Sequence, residues 1–209
     1  MLGIGAEETA KTLHFVPHLP PVWDHVGLQH VAFCGGQSDI VYMRRNDGIH
    51  LQVSTGNTAE CTLQFAPSFS KHARVRGITW NGKPIKYAVV PEANDQHAIV
   101  SLPFANGEAV VHMDDDFGLQ ANEDLPPVGS ASGNLKISGE QWSANNRELK
   151  LRMAGIAGRR YELQAYGAKI ASVSGAELKQ ATSGIQTIEL TFAPADHTQY
   201  TDREITIRF

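Results

Sequence analysis

The sequence predicts an all-β protein: antiparallel β-sandwich of jelly-roll-like character, in two sandwich halves joined by an acidic linker rich in Pro, Gly and Ser. Three observations predict it. Short segments in which apolar and polar residues alternate fill most of the chain, as half-buried strands require. Asn-Gly and Asp-Gly pairs stand between them at hairpin spacing. Residues 114–133 form a run of roughly twenty residues without periodicity, which separates two such regions.

The elements follow in order. Residues 1–12 read as a helix end or junction, because GAEETAKT (5–12) is the rare stretch without strand alternation. The first sandwich domain then spans 13–113. Asp39 to Arg44 and Ile49 to Val53 form a hairpin about Asn46-Asp47-Gly48. Cys61 to Phe65, Ala73 to Trp80, Ile85 to Val90, Ala98 to Leu102 and Ala109 to Met113 follow, with Asn81-Gly82 turning the second of these into the third. Beyond the linker, 134–209 forms the second half: Leu135 to Ile137, Glu148 to Met153, Tyr161 to Tyr166, Lys169 to Val173, Gln186 to Phe192 and Glu204 to Phe209. Glu177 to Ala181 reads as a single helical turn.

The two halves echo one another. Ile49, Leu51, Val53 and Leu63-Gln64 recur 100 positions on as Leu149, Leu151, Met153 and Leu163-Gln164. Val75-x-Gly77 matches Val173-x-Gly175. Val100, Leu102 and Phe104 match Ile188, Leu190 and Phe192, and Ala109, Val111 and Met113 match Ile205, Ile207 and Phe209. Alternation shared by all β-proteins supplies some of this, so the echo is an expectation of a repeated module.

Bulk properties narrow the partners. The chain has 209 residues, 42% hydrophobic and 19% charged, with a net charge of −4. That suits a soluble globular protein and argues against nucleic acid or an anionic membrane, which need a basic face. The N-terminal MLGIGAEETAKT lacks the basic and long apolar regions of a signal peptide. The two cysteines, Cys34 and Cys61, are no disulfide framework. They pair if neighbouring strands bring them together, and are otherwise buried thiols.

Most constellations favour the plain reading. LHFVPHLPPVWDHV (13–26) carries His14, His18 and His25, but Pro17, Pro20 and Pro21 oppose a helix. In extended chain His14 and His18 stand about 13 Å apart, too far for one metal. No metal or other cofactor is therefore expected. Asp114-Asp115-Asp116 and Glu123-Asp124 read as solvated linker acids, with calcium as the sharper alternative. No facing acid pair, nucleophile elbow or phosphate-cradling loop can be picked out. Trp80, before the Asn81-Gly82 turn, is the aromatic best placed at a hairpin tip to meet a sugar face, with Asn81 beside it. The plain alternative is that it caps a core.

One resemblance draws these pieces together. The run LGIGAEETAKTLHFVPHLPPVWDHVGLQHVAF resembles the junction that follows the last barrel helix in bacterial glycoside hydrolases with (α/α)6-barrel catalytic domains, of the debranching-enzyme-like and α-L-rhamnosidase-like group. Leu2-Gly3-Ile4, Leu13, Phe15, Pro17, Leu19, Pro20 and Trp23 carry it. The hairpin ITWNGKPIKY (78–87) and the closing YTDREITIRF (200–209) are similar to strands of the sandwich that follows those barrels. The resemblance implies a non-catalytic accessory region that packs on and stabilises a barrel, in cis or as a partner chain, and lines one edge of the substrate cleft. The acid and base of such enzymes sit on the barrel, so no catalytic residue carries over. Phe15, Val16, Leu19 and Trp23 become the expected domain interface, and the parent enzyme is expected in the periplasm or outside the cell. An autonomous carbohydrate-binding module using Trp80 is the alternative, and a stand-alone glycan-acting enzyme the second.

Overall fold

Alternating side chains commit nearly every segment to strand, and a computed structural model shows no helix among the residues it describes: 2–56, 60–121, 128–129, 132–182, 185–195 and 199–209. The chain divides into two units, Met1–Asp116 and Phe117–Phe209.

The first unit contains β1 (Ile4–Glu7), β2 (Thr12–Phe15), β3 (His25–Phe33), β4 (Gly36–Arg45), β5 (Gly48–Thr55), β6 (Thr62–Phe65), β7 (Ser68–Ser70), β8 (Arg74–Trp80), β9 (Lys83–Pro84), β10 (Ala88–Pro91), β11 (Asp95–Pro103) and β12 (Gly107–Asp114). One sheet runs β1-β2-β6-β11-β10 with β7 also on β11, and the other runs β3-β4-β5-β12-β8-β9. Their inner faces share one core. Phe15, Leu63, Phe65, Val100 and Leu102 come from the first sheet, and Ile40, Tyr42, Leu51, Ile78 and Val111 from the second. Phe15 and Phe65 stack with centroids 5.8 Å apart. Burial of each such side chain contributes about 1.5–3 kcal/mol.

Turn chemistry sets the registers. Asn81 (φ 49°) and Gly82 (φ 75°) form a two-residue turn between the paired Trp80 and Lys83, the left-handed pair that matches strand twist. Cys34 (φ 57°) and Gly35 (φ 77°) do the same between Phe33 and Gly36.

Cys34 and Cys61 form a disulfide, with Cα atoms 6.6 Å apart. It joins the β3–β4 turn of one sheet to the entrance of β6 in the other. Of the two readings the sequence left open, the buried free thiols do not hold.

The second unit contains β13 (Phe117–Ala121), β14 (Lys136–Trp142), β15 (Glu148–Ile156), β16 (Arg160–Gly167), β17 (Ser172–Ser174), β18 (Glu177–Thr182), β19 (Ile185–Thr191) and β20 (Tyr200–Arg208). Its sheets run β13-β16-β19-β18 and β14-β15-β20-β17, every pairing antiparallel. Leu149, Leu151, Met153, Leu163, Ile188, Leu190, Ile205 and Ile207 form the core.

The echo in the sequence is an echo in the fold. The path β2-β6-β11-β10 corresponds to β13-β16-β19-β18, and β4-β5-β12-β8 to β14-β15-β20-β17. On β5 and β12, Ile49 faces Val111 and Leu51 faces Ala109. On β15 and β20 the equivalent residues face each other in the same register, Leu149 with Ile207 and Leu151 with Ile205.

Four expectations need correction. Residues 5–12 are not a helix end: Ile4–Glu7 pairs with Thr12–Phe15 as a hairpin edge, where Glu7 faces Thr12. Glu177–Thr182 is a strand, not a helical turn, because it lines up on β19. The linker 114–133 is shorter than expected, since Phe117–Ala121 pairs with β16 and Phe117 is buried. Residues 122–127 and 130–131 of that linker, with Glu123 and Asp124, lie outside the described residues. Finally, Ile85 to Val90 is not one strand. After Asn81-Gly82 only Lys83–Pro84 continues the hairpin, and Ala88–Pro91 joins the other sheet against β11. One further bond, Ile85 N to Ile78 O (3.0 Å), follows before the chain leaves β8.

Candidate functional site

The segment that follows β2 is held down by its own backbone. Val16 N donates to Gly3 O (2.7 Å), Pro17 O accepts from Ser68 N (3.1 Å), Trp23 N donates to Pro20 O (2.9 Å), and Asp24 O accepts from Arg44 N (2.7 Å). The prolines restrict φ between these anchors. The result is a strap, residues 16–24, that crosses from one sheet to the other.

The strap brings His18 to Asp95 and His97, neighbours at i and i+2 on one face of β11. His18 Nε2 and His97 Nε2 each lie 3.5 Å from Asp95 Oδ2. The two rings meet edge to face with centroids 4.8 Å apart. On the far side of each ring, Nδ1 faces a backbone carbonyl: Val16 O for His18 (3.3 Å) and Ala66 O for His97 (2.9 Å). Ser68 Oγ donates a short hydrogen bond to Asp95 Oδ2. His97 is buried, whereas the His18 side chain is half exposed. These three side chains are the group among the described residues arranged as a possible metal ligand set.

Sequence reasoning weighed His14 with His18 and set the pair aside as too far apart for one metal, and it did not find His18's actual partners. His14 turns to Gln64 Oε1 (2.7 Å) and Glu7 (3.6 Å), away from His18. The missed partners lay about eighty residues away, and the available signal was Asp95-Gln96-His97, a same-face Asp-x-His on a strand. His197 lies outside the described residues.

The expected interface residues separate. Phe15 is wholly buried in the core of the first unit, so it cannot meet a partner. Strand alternation puts it on the inner face with Leu13, and the exposed-patch expectation fails for it. Val16 is half-buried, and Leu19 packs against the core. Trp23 is 51% exposed and Val22 39%. Ile4, on the edge strand β1, is 41% exposed.

The sugar-face candidates are engaged within the fold. Trp80 is half-buried against the core. A Cβ at Gly107 would meet its Cζ2 at 2.5 Å, so the ring lies over that glycine on the adjacent strand. Asn81 Oδ1 accepts from Glu108 N (2.9 Å). Trp142 stacks on Phe209 (centroids 5.8 Å apart, 16°) and caps the second core.

The acids are paired as well. Arg76 holds Asp114 (3.1 Å), Arg74 holds Asp115 (2.6 Å), and Arg44 lies 3.8 Å from Asp116, whose Oδ1 accepts from Ser70 N. Arg44 is held in its charged form: burial opposes it, but Tyr42 and Asp116 outweigh burial. Burial pushes the Tyr42 hydroxyl up. His50 is bracketed by Asp47 (2.9 Å) and Glu108 (3.0 Å). Its hydrogen bond holds the Asp47 carboxyl below the usual range. In the second unit Glu189 is buried between Lys179 and Arg160. The Lys179 hydrogen bond, with that of Arg160, lowers its pKa despite burial.

The fold and these contacts define a class: a tandem antiparallel β-sandwich chain. Comparison with protein-family models finds no match, and neither do the curated proteins or the solved structures.

Proposed function

We propose that the chain is a non-catalytic accessory β-sandwich region of a larger carbohydrate-active enzyme, packing on and stabilising an (α/α)6 catalytic barrel. The observation that carries this reading is the strap. Val22 and Trp23 stand exposed on backbone fixed by four hydrogen bonds. A large aromatic held rigidly in water is a typical anchor for a protein interface. The motifs of the strap are those in which the sequence resembles the barrel–sandwich junction. The arginine pairing of Asp114, Asp115 and Asp116 favours a structural use of the densest acid run. The disulfide suits a parent enzyme in an oxidising compartment.

The reading expects a barrel-coding frame directly upstream, and thermal unfolding of the chain alone and joined to that barrel tests it. The joined form should melt several degrees higher, and Trp23→Ala should remove much of the gain. Equal melting temperatures would overturn the proposal. So would turnover of chromogenic glycosides by the purified chain alone. Retention on a glycan array that disappears with Trp80→Ala would replace it with the carbohydrate-binding module.

A further inference from the structure

We propose that His18, Asp95 and His97 form a binding site for a zinc-class divalent transition ion, which clamps the strap to β11. This goes beyond the accessory-domain reading and does not depend on it.

Each Nδ1 faces a backbone carbonyl, which can only accept, so Nδ1 of each neutral ring carries the proton. Each Nε2 is then left as a lone pair. Both Nε2 atoms lie 3.5 Å from the same carboxylate oxygen. With both rings neutral, three acceptors meet there and repel one another. A cation among them turns that repulsion into ligation.

Geometry favours a small ion. Ligand atoms on a tetrahedral zinc at about 2.0–2.1 Å stand about 3.3–3.4 Å apart. Both His–Asp separations are 3.5 Å, and all three ligand atoms lie within 4.8 Å of one another. Two imidazoles and one carboxylate suit zinc and its neighbours rather than calcium or magnesium, which take oxygen ligands.

The surroundings match what metal sites require. The carbonyls of Val16 and Ala66 favour the Nδ1–H tautomers, and Ser68 Oγ donates to the ligand oxygen Asp95 Oδ2 and so orients the carboxylate. The half-exposed His18 leaves a route from solvent.

The ligands also explain what the ion would do. His97 and Asp95 sit on a strand pinned between β6, β7 and β10, while His18 sits on the strap. Joining them closes a loop from residue 18 to residue 95. A ligand that binds only the folded chain stabilises it by mass action.

The test uses the full chain, stripped with a chelator and titrated with zinc or cobalt(II). Calorimetry should find one high-affinity zinc per chain. Cobalt should give the visible ligand-field bands of a tetrahedral site. Zinc at a hundredfold excess over its Kd should raise the melting temperature by about 5 °C or more. His18→Gln changes a half-exposed side chain, so the chain should stay folded yet lose the cobalt bands and the thermal shift. Ser68→Ala should weaken zinc by roughly 10–100-fold, as removal of a group that orients a ligand does. Absence of zinc binding by the wild-type chain would overturn the proposal. So would zinc binding that His18→Gln and His97→Asn both leave unchanged, or a calcium-induced stabilisation equal to that of zinc.

Discussion

The two units share one plan, and the first has added to it. Both run four strands against four in the same order, with the β5–β12 register reproduced on β15–β20. Among the described residues, the first unit alone has the β1 and β3 strands, the strap, the disulfide and the His–Asp–His cluster. One addition has a topological consequence. A strand that joins its neighbour in a hairpin, as β3 joins β4, reverses the chain once more. β13 and β16 are three apart and antiparallel, whereas the extra β3 puts β2 and β6 four apart, and they are parallel. The lesson is that the repeated core supplies rigidity, while the inserted segments carry the exposed and chemically distinctive groups.

The sharpest test of equivalence is in the cores. Leu51 and Leu151 are both buried at matching positions of the shared register. Leu51→Ala and Leu151→Ala should each cost about 2–5 kcal/mol, by similar amounts, in denaturant unfolding followed by a probe in the affected unit. A cost confined to one of them would break the correspondence.

The disulfide should separate the units next. It spans 27 residues of sequence, and closing a loop of that size stabilises by roughly 3–4 kcal/mol in the chain-entropy picture. Reduction, or Cys34→Ala with Cys61→Ala, should lower the melting of the first unit and leave the second unchanged. Loss in both units would mean that they do not unfold separately.

A third test shows where sequence correspondence stops. Gly77 and Gly175 match in the echo, yet a Cβ at Gly77 meets nothing within 4 Å. Gly175 has φ +81°, and its Cβ would strike Glu204 O at 2.5 Å. Gly175→Ala should therefore cost about 1–3 kcal/mol and Gly77→Ala little, as chemical denaturation would measure.

The smallest effect concerns acid. Glu189 has its folded-state pKa lowered by Lys179 and Arg160. The stability it contributes is present above the ordinary carboxylate pKa of about 4.3, and is lost as pH falls below that through the folded value. Glu189→Gln should flatten the acid limb of the second unit's stability curve and leave that of the first unchanged. An identical acid limb in the variant would show that the cluster contributes nothing there.

The sandwich class, the hairpin turns and the repeated module were legible in the sequence because they depend on neighbours. Alternation placed Leu13 and Phe15 on one face, and Asn81-Gly82 demanded left-handed backbone. Weak strands were not legible: Ile4–Glu7, Phe117–Ala121 and Glu177–Thr182 have little alternation, and gain their shape from the ladders they join. The grouping of His18 with Asp95 and His97 was not legible either. His14 and His18 are close in sequence, but Pro17 and the turn of the strap send them to different partners.

The amino-acid order by itself thus determined which residues share a strand face, where the chain turns, and that its halves resemble one another, since these follow from local sterics and a two-residue period. Only the tertiary structure decided that Cys34 meets Cys61, that His18 meets Asp95 and His97, and that Trp23 rather than Phe15 faces water. Those outcomes depend on which strands lie side by side and on the path of the strap, and sheet pairing joins residues that sequence distance keeps apart.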